Sequence, residues 1–304
     1  MAEFANCADI RFPNLGIFFS KVGRYIEIDN FRIMYYGIIV ASAFLIGMLV
    51  AQQVAKRTGQ DPELYLDYLL WMVIPAILGA RAYYVIFSWD MYKDNPMEIL
   101  NLRHGGLGIV GGVVMGVLVL LIFAKRRQVS PALMLDTLAP GLLTGQIIGR
   151  WGNFFNREAF GTWTHGLFAM QIPVDYFKQT GRMGELEGTG ILDHLVTVTR
   201  GAKAFSYIQV HPTFLYEGMW NFLILLIILV WFRKKTFDGE MFCIYLIGYG
   251  IGRFLIESLR IDQLQIGTTG IAATQVVCIL VTIGGLAVII RNKMKKKAGS
   301  GPVT

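Results

Sequence analysis

TFLYEGMWNFLILLIILVWFRKK, residues 213–235, is the stretch that decides how this chain folds. From Phe222 to Phe232 every side chain is aliphatic or aromatic, and the run stops on Arg233, Lys234 and Lys235. A helix beginning near Thr213 supplies the roughly 20 residues needed to cross a hydrocarbon core. In lipid the backbone polar groups must be satisfied within the segment, which a helix does. Runs of the same kind recur at about 34–54, 67–87, 107–124, 133–149, 241–257 and 271–290, so about seven transmembrane helices are expected. The fourth is interrupted by Asp136 and Pro140. The fold class expected is an all-α integral membrane protein, a single membrane domain over 1–304.

Composition agrees with that reading. The 304 residues are 54% hydrophobic and only 16% charged, with a mean hydropathy of +0.51. Soluble chains carry roughly 25% charged residues, so a water-facing surface is excluded for most of this one. The 34 glycines suit close helix packing in lipid. A net charge of +7 could indicate nucleic acid, but its distribution excludes that partner. Lys56 and Arg57, Lys125 to Arg127, Arg233 to Lys235, and Arg291, Lys293 and Lys295 to Lys297 hold 13 of the 28 basic residues at alternate loops. Basic loops stay in the cytoplasm, which places the C-terminus there and the N-terminus, the 88–106 loop and 150–212 outside. A lipid-binding patch is the other use for the Lys-rich end. Residues Ala298 to Thr304 are expected to be disordered.

Residues 155–212 are rich in Gly and polar side chains and form a small extracytoplasmic head between spans four and five. Within it, FAMQI (168–172) and YIQV (207–210) read as short strands. Met1 to Pro13 has no basic stretch leading into an apolar core, so no cleaved leader is expected. Cys7 lies in a polar stretch, while Cys243 and Cys278 sit in apolar runs as inert buried thiols. No spacing resembles a metal or redox site, and no metal or cofactor is expected.

Ionisable groups in or near membrane spans are functional candidates by default. Arg150 ends span four, followed by Asn153, Asn156 and Glu158. Arg253 and Glu257 end span six, His211, Tyr216 and Glu217 open span five, and Tyr35 and Tyr36 open span one. Arg81 lies towards the outer end of span two. These separate stretches converge on one depth, as a single site at the outer-leaflet boundary requires. A guanidinium fork matches phosphate oxygens, so Arg150 and Arg253 suit an anionic lipid headgroup. The plainer reading is that they neutralise Glu158 and Glu257. Both roles are compatible, because a carboxylate can hold an arginine in position. Asn153 and Asn156 supply neutral donors or cap the helix. Asp136, near the cytoplasmic end of span four, is expected to be structural.

The run Gly149-Arg150-Trp151-Gly152-Asn153-Phe154-Phe155-Asn156-Arg157-Glu158-Ala159-Phe160-Gly161 closely resembles the signature of the prolipoprotein diacylglyceryl transferases, GRxGNFxNxExxG. Four further matches follow the family's order. Tyr36-Gly37 resembles its first-span YG, and the run from Gly79 through Arg81 to Tyr84 its GxRxxY. The run from His211 to Glu217 resembles HPxxLYE, and that from Gly248 through Tyr249 and Arg253 to Glu257 resembles GYGxxRxxxE. The resemblance covers nearly the whole chain.

It implies a transferase of the bacterial cytoplasmic membrane with two substrates, phosphatidylglycerol and the lipobox cysteine of a prolipoprotein precursor. The thiol sulfur attacks the glyceryl carbon and glycerol phosphate leaves. Arg150, Arg253, Asn153 and Glu158 are the catalytic candidates it implies. Tyr36, Arg81, Asn156, Gly161, Tyr249 and Glu257, with the two arginines, are implied at the lipid pocket. One departure stands out. Val110 occupies the place where the family carries a histidine or tyrosine proposed as the base, and Val110 accepts no proton. His104, His211 and Glu158 remain candidates for that proton, beside a thiol ionised by the arginines alone. A lipid transporter or flippase and a non-catalytic lipid-binding relative are the competing readings.

Overall fold

The computed structural model describes residues 7–29, 31–102, 105–200, 203–263, 265 and 270–299. His104 lies outside them, as does the part of the expected disordered end from residue 300 onward. Eight α-helices are described: α1 (Tyr35–Arg57), α2 (Glu63–Phe87), α3 (Ile109–Arg127), α4 (Pro131–Asn156), α5 (Val174–Gln179), α6 (Thr213–Trp231), α7 (Glu240–Glu257) and α8 (Ala273–Gly299). Six of them, α1 to α4, α6 and α8, are long and apolar enough to cross a membrane. The span expected at 241–257 is the helix α7, whose 18 residues carry three charges, Glu240, Arg253 and Glu257. Pro140 and Asp136 do not break α4, which runs through both for 26 residues.

Seven strands accompany the helices: β1 (Ala8–Phe12), β2 (Ile17–Val22), β3 (Tyr25–Ile28), β4 (Phe31–Met34), β5 (Met170–Pro173), β6 (Val196–Arg200) and β7 (Lys203–Val210). The two strands read from sequence are β5 and the end of β7. The first four strands were not foreseen. The seven strands build a five-stranded antiparallel sheet of order β2-β1-β5-β7-β6 and a separate β3-β4 ribbon. The sheet therefore draws its edge from residues 8–22 as well as from the 155–212 segment.

Contacts divide the chain into two compact units. The first comprises Met1–Gly47, Leu142–Lys234 and Cys243–Thr304, and holds the sheet. Its core joins Ile10 and Phe12 of β1, Ile172 of β5, and Ile208 and Val210 of β7 to Phe154, Phe160, Phe177 and Phe214. The ends of α4 and α6 are thus anchored in the same apolar cluster as the sheet.

The second unit comprises Met48–Gly141 and Lys235–Phe242. Tyr65, Tyr68, Phe123 and Met134 lead its core, and α2 meets α3 where Gly79 faces the carbonyl of Gly111. Asp136 is fully buried and accepts hydrogen bonds from the backbone N–H groups of Gly239 (2.7 Å) and Phe242 (2.9 Å). Lys235 Nζ lies 2.8 Å from the same carboxylate. Burial works against the Lys235 charge, but Asp136 and Asp238 outweigh it and raise the pKa above the ordinary lysine value. A buried carboxylate of α4 thereby caps the first turn of α7.

Candidate functional site

Helical spacing brings the predicted side chains together within the first unit. Gln146, Arg150 and Asn153 stand at i, i+4 and i+7 on α4, and Tyr249, Arg253 and Glu257 at i, i+4 and i+8 on α7. Each set therefore lies on one face of its helix. Between them stands Glu217 of α6, whose side chain is only 4% exposed. Arg150 Nη2 lies 2.5 Å from Glu217 Oε2, and Arg253 Nη1 donates to Glu217 Oε1 at 2.6 Å. The two arginines singled out from sequence are thus clasped by one carboxylate. The Nη2 of Arg253 also lies 2.6 Å from Glu257 Oε2, a close ion pair without hydrogen-bond alignment. Of the neutralising pairs weighed from sequence, Arg253 with Glu257 forms. Arg150 pairs with Glu217, and Glu158 instead accepts from Asn153 Nδ2 at 2.9 Å.

A third guanidinium joins the cluster, unforeseen from sequence. Arg260 Nη1 lies 3.7 Å from Glu217 Oε1, while its Nε and Nη2 grip Asp262 at 2.9 and 2.6 Å. Burial opposes the Arg260 charge, but Asp262, Glu217 and Glu257 outweigh it and raise the pKa. The sequence offered little signal for it: α7 ends at Glu257, and Arg260 is placed by a bridge to Gly161 beyond the helix. Away from the charges the stripe becomes neutral and polar. Gln146 Nε2 donates to Tyr245 Oη at 2.8 Å, Asn221 Nδ2 approaches Gln146 Oε1 at 3.4 Å, and Tyr245 stacks on Tyr249 with ring centres 5.8 Å apart.

The loop after α4 is sharply folded. Arg157 and Ala159 both adopt positive φ, at 50° and 53°, a region few non-glycine residues enter. The Asn153–Glu158 bond closes this reversal, and the Glu158 N–H donates back to the Asn153 carbonyl at 3.1 Å. Asn156 ends α4; its carbonyl accepts from Arg182 Nη1 at 2.9 Å, while its buried Oδ1 has no partner among the described residues. Two motif glycines have steric reasons. A Cβ on Gly152 would sit 2.7 Å from the ring of Tyr36, which packs against the helix there. A Cβ on Gly161 would sit 2.7 Å from the Leu259 carbonyl and 2.9 Å from His211 Cβ. Gly161 is held between those segments, donating to the His211 carbonyl at 2.9 Å.

Arg81 and Val110 belong to the second unit. All of the Arg81 guanidinium is turned onto backbone carbonyls. Nε donates to Ile99 (2.8 Å), Nη1 to Gly105 (2.7 Å) and Gly106 (2.9 Å), and Nη2 to Glu98 (2.6 Å) and Asn101 (3.2 Å). Val110 is an aliphatic residue in the first turn of α3. His211 Nδ1 lies 3.1 Å from the Tyr216 hydroxyl, and burial lowers the imidazole pKa below its ordinary value. Among the described residues no three His, Cys, Asp or Glu side chains converge as a metal cage would.

Comparison with known proteins adds one family. A family model described as prolipoprotein diacylglyceryl transferase matches residues 24–291. A phosphatidylglycerol–prolipoprotein diacylglyceryl transferase of Synechococcus elongatus is 40% identical over 268 residues, covering 85% of this chain and 84% of its own length. The protein of the same name from Bacillus cereus is 39% identical over 270 residues, covering 88% and 92%. One from Bacillus anthracis matches with the same identity and coverage.

Proposed function

We infer that this chain, which belongs to the prolipoprotein diacylglyceryl transferase family, moves the diacylglyceryl group of phosphatidylglycerol onto the lipobox cysteine of prolipoproteins. The observation that carries the reading is the pair Arg150 and Arg253, held on the single buried carboxylate of Glu217. In this reaction the thiolate sulfur forms a bond to the terminal glyceryl carbon as the carbon–oxygen bond to phosphate breaks. The electron pair leaves with glycerol phosphate, whose phosphate gains one negative charge. Guanidinium donors fixed in advance beside that oxygen stabilise charge as it develops.

The two arginines differ in what they have left to offer. Arg253 already spends both terminal nitrogens on Glu217 and Glu257, whereas Arg150 spends only Nη2 and is the more exposed, at 22% against 13%. Arg150 is therefore assigned the main grip on the phosphate, and Arg253 the second charge. Glu217 acts through both as a positioning residue. Asn153 and Glu158 hold the loop that carries Gly161, Asn156 offers its unpaired Oδ1 as an acceptor for a headgroup hydroxyl, and Tyr36 and Tyr249 line the lipid. Arg81 holds the backbone carbonyls of Glu98, Ile99, Asn101, Gly105 and Gly106 in place. Thiols near positive charge ionise below their usual pKa near 8.5, so the arginines take the place of a dedicated base and water receives the proton.

The membrane arrangement proposed has seven spans, α7 included, with a bacterial multi-pass topology. At about 1.5 Å per residue α7 is roughly 27 Å long, close to the hydrocarbon thickness. The basic loops put the C-terminus in the cytoplasm and the N-terminus and the 155–212 head outside. Reporter fusions at Arg126 and Thr304 that score outside would overturn this orientation. The reaction itself is tested by following radiolabelled diacylglyceryl from phosphatidylglycerol into a lipobox peptide. A protein that binds the lipid and leaves the peptide unlabelled is a lipid-binding relative or flippase instead.

A further inference from the structure

The β3-β4 ribbon runs directly into α1, and its register gives it two unlike faces. Tyr25 pairs with Met34, Ile26 with Ile33, Glu27 with Arg32 and Ile28 with Phe31. Cross-strand partners in an antiparallel ribbon project to the same side, and successive pairs alternate. One face therefore carries Tyr25, Met34 and the Glu27–Arg32 ion pair. There Arg32 Nε lies 2.9 Å from Glu27 Oε1, and the guanidinium sits 5.0 Å from the centre of the Tyr25 ring. The other face carries Ile26, Ile28, Phe31 and Ile33, with no polar side chain.

That apolar face is largely uncovered among the described residues. Phe31 is 69% exposed and Ile28 57%, and neither core cluster includes a ribbon residue. Two-stranded ribbons are marginal in water alone, so this one needs a surface to lie on. Its base is fastened at the membrane entry: the Tyr35 N–H, at the first residue of α1, donates to the Arg24 carbonyl at 2.9 Å. The ribbon thus leaves from the point at which the chain enters lipid, and the exposed Lys21 of β2 stands nearby in sequence to meet headgroup phosphates.

We propose that the β3-β4 ribbon is an interfacial anchor. Its Ile26, Ile28, Phe31 and Ile33 face is buried between headgroups and acyl chains, and its Glu27–Arg32 face looks towards water. The occupant of the face is the bilayer, because the ribbon is continuous with α1, itself a membrane span; the inference rests on that span. An anchored ribbon fixes the depth of Tyr36, two residues beyond Met34, and so of the ring that lies against Gly152 in the site.

The test uses the full chain with Cys7→Ser, since Cys243 and Cys278 are buried, in phosphatidylglycerol-containing nanodiscs. Single cysteines at 27, 28, 31 and 32 are spin-labelled, and their accessibility to oxygen and to a water-soluble nickel chelate is compared. Labels at 28 and 31 should report a depth of about 5–10 Å below the phosphates, and labels at 27 and 32 an aqueous setting. Nickel accessibility at 28 and 31 equal to that at 27 and 32 overturns the proposal. So does shielding of 28 and 31 from both reagents, which would mean a protein partner or a second copy. Leu45→Cys on α1 serves as the deep reference; a shallow reading there overturns the span and the anchor together, while leaving the transfer assay to judge the reaction. Ile26→Cys replaces either apolar-face variant that fails to fold.

Discussion

Replacing Glu217 by Gln probes the centre of the site without changing its shape. The carboxylate is 4% exposed and meets Arg150 at 2.5 Å and Arg253 at 2.6 Å. Two unit charges about 4 Å apart interact by about 4 kcal/mol at an effective dielectric of 20. Removing one partner of a buried pair typically costs about 3–5 kcal/mol. Arg253 keeps Glu257 at 2.6 Å, and the partial exposure of Arg150 lets water screen its charge, so the low end, about 3 kcal/mol, is expected. Thermal midpoints in detergent should therefore fall for Glu217→Gln in the absence of phosphatidylglycerol. Adding that lipid should close much of the gap, because its phosphate supplies the missing negative charge to both arginines, whereas a zwitterionic lipid should not. In the transfer assay kcat should drop while KM for the lipid does not rise, since the phosphate no longer competes with Glu217. A Gln variant that melts with the parent, or that gains no more from phosphatidylglycerol than the parent does, would refute the reasoning.

Arg150→Ala should lower transfer by about 10²–10³, and Arg150→Lys should recover little of it because it loses the planar fork; rates at saturating lipid, with detergent melting as a fold control, check both. Gly161→Ala drives a methyl into the Leu259 carbonyl and His211 Cβ; overpacking of this kind costs about 1–3 kcal/mol and should show as a lower melting point together with lost transfer. His211 has its pKa lowered by burial, so the unfolded chain takes up its proton first. Its contribution to stability is present above the unfolded value near 6.5 and lost as pH falls below it, a limb of the melting-point profile that His211→Gln should flatten. His104→Gln should leave transfer with a modest loss and a rate still rising towards the thiol's ionisation; a loss of about 10²–10⁴, with an imidazole limb vanishing from the profile, would make His104 the base.

The long helices were legible because each is specified by its own apolar run, as Phe222 to Phe232 shows. The sheet was not, because β1 finds β5 some 160 residues away: Arg11 pairs with Gln171, and nothing local in either strand announces the other. Arg150, Arg253, Glu217 and Glu257 could be named from motif and depth, and the Arg253–Glu257 pair with them, but neither Arg260 nor the partner of Arg150 could. Arg150 has Glu158 close in sequence and Glu217 on another helix, and only the approach of α6 decides for Glu217. The same limit applied to Arg81. Its place near a span boundary made it a lipid-binding candidate, and its five backbone acceptors lie 17 to 25 residues further along the chain.

Arg157, inside the signature yet buried to 1% exposure, has a practical consequence for anyone preparing this protein. Its Nη2 reaches the carbonyls of Ala8, at 3.2 Å, and Val22, its Nη1 that of Phe155, at 3.1 Å, and its guanidinium lies 4.6 Å from the centre of the Tyr176 ring. Burial works against its charge and lowers its pKa, so those carbonyls are what make it tolerable. The family match begins only at residue 24, and an expression clone trimmed to that boundary would look harmless. It would delete β1 and β2, strip two of the three acceptors from a buried cation, and loosen the turn between Asn156 and Glu158.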